Sequence, residues 1–386
     1  MSIAANQAQV FLRLLRELRG RWRTDQALPR AIQALLGDRT FGSRDRRLYR
    51  ELIYTALRHL PWVEPWLDQD AAEVVRRVAW LAADLPATKA FRGEFATGEA
   101  PAGDRTELLP AWFRPECPEI YSGGELDAQL RRAPLWLRLA GAAPATLKEF
   151  DDLGWAWRRS EIVPTAIRLL DEVDVTQTKA FQNGRLEVQD LGSQLVLETL
   201  GLAPGGRWLD ACAGAGGKAL QLARLLGPSA TVEAYDIRPS ALTELQQRAA
   251  RARARNVRLT SRPSAGDYDG VLVDAPCSGS GTWRRSPHLK WTTTPALIAE
   301  RAELQHHLLA KFAACVRPGG RLVYATCSLS VRENEQVVAR FLAGTPAFET
   351  VPPAHPFGFT PRGGGLTIFP ARHDTDGFFV ASFRRR

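Results

Sequence analysis

The chain has 386 residues, 45% hydrophobic and 24% charged, with a formal net charge of +9. This is the composition of a folded chain with room for two or three domains, and no stretch approaches the roughly 18 apolar residues that cross a bilayer. The five cysteines are an odd number without a Cys-x-x-Cys pair, which argues against a disulfide framework or zinc knuckle and, with no secretory pattern in Met1–Val10, for a cytoplasmic protein.

The first sixty residues carry twelve Arg against five Asp or Glu, a balance that suits a phosphate-bearing partner, with Arg13, Arg16, Arg19, Arg21 and Arg23 as candidate contacts. Genome composition also produces an arginine bias, and only six of the 51 basic residues are Lys. Val10, Phe11, Leu14, Leu15 and Leu18 share one helical face. Ile32, Leu35 and Leu36 continue a second segment. Arg44–Leu60 and Val74–Leu81 read as a third and fourth. Residues 1–125 are therefore expected to be a helical bundle, either an RNA-binding domain or a packing or dimerisation module. Residues 86–125, rich in Gly, Pro and charge, read as a loop or linker region.

Residues 126–190 read as a small α+β module: strands at Pro134–Leu139, Trp155–Ile162 and Phe181–Val188, and a helix over Pro144–Leu153. Gln189–Gly201 is a capped helix ending at glycine. From Arg207 strand, loop and helix alternate, with strands at Trp208–Asp210, Thr231–Tyr235, Val257–Thr260, Gly270–Asp274 and Arg321–Thr326. Such units predict a parallel sheet covered on both faces over 191–386. Gly377–Phe383 has no helix after it and is expected antiparallel at the sheet's far side.

Two regions carry chemistry. Asp210-Ala-Cys-Ala-Gly-Ala-Gly-Gly-Lys218 lies where the first strand turns into the first helix, and its glycines let backbone approach a ligand closely. Asp236 closes the next strand about twenty residues on, where a carboxylate can accept both ribose hydroxyls of an adenosine. A phosphate-loop pattern is absent, and a dinucleotide fits poorly with the thiols downstream. Those thiols are Cys277, in Val271-Leu-Val-Asp-Ala-Pro-Cys-Ser-Gly-Ser-Gly281, and Cys327, in Leu322-Val-Tyr-Ala-Thr-Cys-Ser328. Both follow predicted strands, and Asp274 stands beside the first, so covalent chemistry on an electrophilic ring is expected. Cys117 and Cys315 read as small buried hydrophobes, and Cys212 as packed under the loop. His288, His306 and His307 lack metal-ligand spacing, and no metal is expected.

The stretches Asp210–Lys218, Asp274-Ala-Pro-Cys-Ser-Gly279 and Thr326-Cys-Ser328, in this order and spacing, resemble the Nop2/Sun family of RNA cytosine-C5 methyltransferases. Trp283-Arg-Arg-Ser-Pro-His-Leu-Lys-Trp291, Arg317-Pro-Gly-Gly-Arg-Leu-Val-Tyr324 and Ser328–Glu335 are similar to the family's connecting segments. Arg44–Arg58 resembles, more loosely, the antitermination-factor-like (NusB-like) helical domain of the bacterial 16S rRNA branch. The resemblance implies an α/β fold: a Rossmann-like seven-stranded class I methyltransferase sheet, preceded by an all-α NusB-like bundle and a small α+β (RRM-like) module. It implies S-adenosyl-L-methionine as cofactor, held by Asp210, Cys212, Ala213, Gly214, Ala215, Gly216, Gly217, Lys218, Asp236 and Asp274. The implied catalytic residues are Cys327 as nucleophile, Cys277 for product release, Asp274 on the N3/N4 edge of the base and Lys218 orienting the base. The implied partner is RNA, with 16S rRNA as target and neither DNA nor membrane, and the expected assembly is a monomer.

Two departures stand out. The family loop has proline where this chain has Ala215, and the acid after the third strand is missing from Thr260-Ser-Arg-Pro-Ser-Ala-Gly266. Asp267 stands close to the next strand. The alternatives are an RNA-binding or ribosome-assembly factor on a degenerate methyltransferase scaffold, and a tRNA cytosine-C5 methyltransferase.

Overall fold

The computed structural model describes residues 2–140 and 143–386. The chain forms two compact units, Met1–Arg132 with Thr282–Pro295, and Ala133–Gly281 with Ala296–Arg386. Among the described residues no helix is long and apolar enough to cross a membrane.

In the first unit, helices run over Ile3–Leu18, Leu28–Leu36, Ser43–Arg58 and Ala71–Leu81, where the apolar spacing predicts them. Phe11, Leu14, Leu15, Ile32, Leu52, Ala56 and Val74 meet in one core. The starts are set by capping side chains: Ser2 Oγ accepts from the Ala5 amide, and Asp70 from the Ala72 and Glu73 amides. The expectation of a loop or linker over 86–125 is corrected. A helix runs over Lys89–Phe95, and short 3-10 turns over Arg105–Leu108, Ala111–Phe113 and Pro118–Tyr121 bury Leu108, Phe113, Ile120 and Tyr121. The prolines begin tight turns there, and the Tyr121 hydroxyl ties one back to the Pro110 carbonyl at 2.5 Å.

Residues 282–295, which lie within the 191–386 expected for the C-terminal domain, fold into this helical unit. Trp283 packs against Phe113 with ring centroids 4.6 Å apart. Lys290 Nζ donates to the carbonyls of Arg58 and Leu108 at 2.7 and 3.0 Å, and Trp291 Nε1 donates to the Leu57 carbonyl at 2.6 Å. Burial holds the Lys290 amine well below the ordinary lysine range.

The second unit contains two sheets. The smaller is antiparallel, ordered β2-β3-β1-β4, with β1 Leu135–Leu139, β2 Trp157–Arg159, β3 Ala166–Leu169 and β4 Leu186–Val188. The helix Ala143–Asp152 supplies Leu147 and Phe150 to a core with Leu137, Ile167 and Leu186. The strand expected over Phe181–Val188 is shorter, because Thr178 Oγ1 accepts from the Phe181 amide and caps a helical turn at Lys179–Gln182.

The larger sheet has eight strands: β5 Arg207–Asp210, β6 Thr231–Ala234, β7 Val257–Leu259, β8 Tyr268–Asp274, β9 Val316–Thr326, β10 Phe348–Thr350, β11 Gly365–Ile368 and β12 Phe378–Arg385. Seven follow one path, β10-β12-β9-β8-β5-β6-β7, and β11 pairs with β12. The expected seven-stranded sheet is thus present with one added strand. β5 to β9 pair in parallel, whereas β12 runs antiparallel to β9 and is inserted between it and β10. The apolar runs are buried on both sides: Leu272, Val323 and Ala325 face one core, and Val271, Val273, Leu322 and Tyr324 the other. The chain leaves β5 for β6 on one side and later returns to β8 on the other, so the strand order reverses at β5–β8, where open sheets hold ligands.

Candidate active site

Asp210, Asp274 and Thr326 end three adjacent parallel strands: Asp210 pairs with Leu272, and Asp274 with Ala325. The expected site residues lie on these strand ends or the turns after them, except Gly217 and Lys218, which open the helix Gly217–Leu226, and Asp236. Beyond β5 the chain turns through Gly214 and Gly216, at φ +52° and +87°, conformations that L side chains adopt poorly. At Gly216 a Cβ would also lie 2.6 Å from Leu245 Cγ. Where proline is missing, the Ala215 carbonyl accepts from Arg248 Nη1 at 2.9 Å, and Arg248 Nη2 is paired with buried Glu187 at 2.9 Å. That ion pair reaches from β4 to the loop.

Asp236 lies just after β6, and Gly214 N donates to its Oδ2 at 2.8 Å. Arg238 Nε and Nη2 each donate to it at 3.0 Å. Burial alone would raise its pKa, but these donors outweigh that and hold the carboxyl below the usual range. Asp210 differs. It is buried, neither carboxylate oxygen has a hydrogen-bond partner among the described residues, and burial, then Asp274, pushes its pKa up to about 7. An orphaned carboxyl beside a glycine-rich turn fits a group presenting a cation. Asp267 does not supply the missing acid: it pairs with Arg207 at 3.2 Å, just before β8 begins, at the opposite end from Asp274.

Lys218 Nζ lies 2.9 Å from Asp274 Oδ2 and 5.0 Å from the centre of the Phe378 ring. Burial would lower the lysine, yet the Asp274 carboxylate prevails and its pKa is raised. Next to this pair, Cys277 Sγ and Cys327 Sγ are 3.3 Å apart, both thiols free and half-buried. Their turns are stitched together at Gly281, whose amide donates to the Cys327 carbonyl at 2.9 Å and whose carbonyl accepts from Gly377 N at 2.7 Å. A Cβ there would lie 2.1 Å from the Gly377 oxygen, so glycine is required. The contact with Cys327, then burial and the charges of Cys327 and Glu333, push the Cys277 thiol well above its ordinary range.

The pattern of strand ends did not point to the polar groups beneath the thiols. Glu333, fully buried, accepts from the Ser278 amide at 2.8 Å, Gln305 Nε2 at 2.9 Å and Ser328 Oγ at 2.6 Å. Asn334 Nδ2 donates to the Ser328 carbonyl at 2.9 Å. The matching stretch Ser328–Glu335 was the available signal, but it names no role for them.

Cys212 is partly buried behind the loop, and burial raises its thiol far above the ordinary range; burial likewise raises Cys315. Cys117 is buried in the helical unit. No cluster of His, Cys, Asp or Glu among the described residues could hold a metal ion.

A family model, 16S rRNA methyltransferase RsmB/F, matches residues 197–384. Ribosomal RNA small subunit methyltransferase B of Xanthomonas campestris pv. campestris is 35% identical over 288 residues, 70% of this chain and 65% of that protein. The protein of the same name from Citrobacter koseri is 31% identical over 317 residues, 77% of this chain and 70% of that one. The chain spans about half the length of several other curated relatives, among them those at 54% and 53%. The crystal structure of PH0851 superposes over 100% of both chains with a TM-score of 0.78 at 23% identity, a likeness of fold. The strand order, the loop after β5 and the two thiol-bearing turns lie in or beside the matched region, and with it they establish that the chain belongs to the 16S rRNA methyltransferase RsmB/F family.

Proposed function

We propose that this protein transfers a methyl group from S-adenosylmethionine to C5 of a cytosine in small-subunit rRNA, through a covalent bond between Cys327 and C6. The observation that carries the reading is the pair of free thiols 3.3 Å apart, on the turns after adjacent strands and beside the Lys218–Asp274 ion pair. C5 of cytosine is too electron-poor to take a methyl group directly. Addition of a thiolate to C6 makes C5 enamine-like and nucleophilic.

The roles follow from position. Contact with Cys327, then burial, raises the Cys277 thiol well above its ordinary range, and this reading gives the attack to the Cys327 sulfur. Asp274, oriented by Lys218, bonds the N3/N4 edge and stabilises the adduct. After transfer a base takes the C5 proton, the C5–C6 double bond reforms and Cys327 leaves; Cys277 serves this release. The cofactor supplies an electrophilic methyl on a sulfonium. Asp236 and the loop Ala213–Gly217 would hold it, Cys212 would pack behind them, and Asp210 would take its ammonium. Exposed arginines of the helical unit would track rRNA phosphates. A second reading, a non-catalytic assembly factor, is favoured only by the acid missing after β7.

The test separates the cysteines. Cys327→Ala should abolish transfer while leaving cofactor and RNA binding intact. Cys277→Ala should accumulate a protein–RNA adduct that survives denaturing electrophoresis, requires S-adenosylmethionine and vanishes in the double variant. A reversed pattern would make Cys277 the nucleophile. Absence of adduct, with unchanged bisulfite maps of 16S rRNA from a deletion strain, would favour the assembly factor.

A further inference from the structure

We propose that Glu333 is the positioning residue for the two thiols, holding the turns that carry Cys277 and Cys327 on one buried carboxylate. The inference rests on the functional reading above and deepens it. Glu333 Oε1 accepts from the Ser278 amide at 2.8 Å and from Gln305 Nε2 at 2.9 Å. Its Oε2 accepts from the hydroxyls of Ser278 and Ser328, the latter at 2.6 Å. Ser278 follows Cys277 and Ser328 follows Cys327, so each thiol stands one residue from a group anchored to the same carboxylate.

Gln305 adds a second tie, since its Nε2 also donates at 2.9 Å to the carbonyl of Pro276, the residue before Cys277. Tyr324, in β9, fixes both supports: its hydroxyl donates to the Glu333 carbonyl at 2.5 Å and to Gln305 Oε1 at 3.2 Å. Burying a charge to hold two turns is costly, and a well-packed apolar group of similar volume would often be no less stable. A carboxylate, however, accepts from several converging donors at once, and an apolar side chain cannot set a register between two loops. Its negative charge also lies near enough to add to the forces that keep Cys277 protonated. Glu333 touches neither sulfur in this network and acts through the serines.

The two substitutions that test this differ in what they keep. In Glu333→Gln the amide oxygen can accept from Ser278 N and Gln305 Nε2, and the amide nitrogen can donate to the two hydroxyls, which rotate to accept. Glu333→Ala removes every hydrogen bond made by the carboxylate and leaves the ties at Gly281 and Pro276. The readout is disulfide formation between Cys277 and Cys327 driven by diamide, whose N=N bond takes up the two electrons and two protons that the thiols lose and becomes a hydrazine. Cross-linked peptides are counted by mass spectrometry on the full chain, so no methyl transfer is needed.

Wild type and Glu333→Gln should cross-link within about threefold of one another, and Glu333→Ala at least about tenfold more slowly, the scale of penalty that misplacing reacting groups brings. Cys277 in Glu333→Gln should alkylate with iodoacetamide at lower pH than in wild type, because a charge that disfavours its thiolate is gone. Cys315, buried in the same unit, reports the fold by staying unalkylated. Cross-linking of Glu333→Ala at the wild-type rate would overturn the proposal. So would equal slowing in both variants, or exposure of Cys315 in Glu333→Ala, since the carboxylate would then serve the fold alone. With the thiol results as expected, methyl transfer should fall roughly hundredfold in Glu333→Ala and largely survive in Glu333→Gln. A wild type that cross-links as expected but transfers no methyl group would refute the functional reading and leave the clamp standing.

Discussion

Asp210 and Asp236 flank the glycine-rich turn after β5, yet their surroundings drive them apart. Asp236 has four N–H donors, from Gly214 and Arg238, and stays ionised, whereas Asp210, with no hydrogen-bond partner among the described residues, has its pKa pushed up to about 7 by burial and then by Asp274. If Asp210 takes the cofactor's ammonium, it must be ionised to do so. A group with a pKa near 7 is mostly protonated below that pH, so each unit downward should weaken S-adenosylmethionine binding by up to about tenfold. Calorimetry should therefore show affinity rising from about pH 5 to 7 and levelling above, and Asp210→Asn should flatten that dependence. A flat wild-type profile would remove Asp210 from the ammonium role. The positions of Asp210, Asp274, Cys277 and Cys327 were legible in the sequence because each follows a short apolar run that had to be a buried strand. The meaning of Glu333 was not, because it depends on residues 278, 305 and 328 reaching one point through space.

Among the elements, the loop after β5 shows how a missing residue is replaced. Proline would stiffen the turn at position 215; here Arg248, on the helix Pro239–Arg251, holds the Ala215 carbonyl and is itself held by Glu187 of β4. Arg251 adds a second ion pair to Glu187 at 2.7 Å. Removing the Arg248 guanidinium leaves Glu187 buried with one partner and frees the loop. Arg248→Ala should weaken S-adenosylmethionine binding by about 1–2 kcal/mol, roughly five- to thirtyfold, with little change in RNA affinity. Ala215→Pro in the Arg248→Ala background should restore part of that loss. Equal cofactor affinity in wild type and Arg248→Ala, measured by titration, would show that the loop holds itself. The loop's glycines could be read from the chain, but the ion pair could not, since Glu187 and Arg248 are 61 residues apart.

On the scale of the whole molecule, the net charge of +9 is real but unevenly available. Of the five arginines first singled out, Arg19 pairs with Asp68, Arg21 with Asp25 and Arg23 with Glu64. Arg13 and Arg16 are exposed and carry no ion pair among the described residues, as does Arg47 on the helix Ser43–Arg58. If the helical unit binds rRNA through phosphates, these three are among the counterion-releasing groups. Replacing two of them by Gln should flatten the plot of log affinity against log salt by about 0.7–0.9 per residue. The same change at Arg21 and Arg23 should do less, because their charges are already partly compensated. Filter binding across a salt series distinguishes the pairs, and equal slopes in all variants would assign this face to packing.

The sequence by itself determined the alternating strands and helices, the two-sided burial of β8 and β9 and the placement of both thiols and two acids after strands, because all of these follow from local periodicity and from what glycine and proline do to a chain. Tertiary structure alone decided the 3.3 Å approach of Cys277 to Cys327, the folding of residues 282–295 with the N-terminal helices, and the convergence of two turns on Glu333. Each of these joins segments far apart in the chain. Their closeness reflects loop closure offset by buried contacts, a balance that no local pattern of residues records.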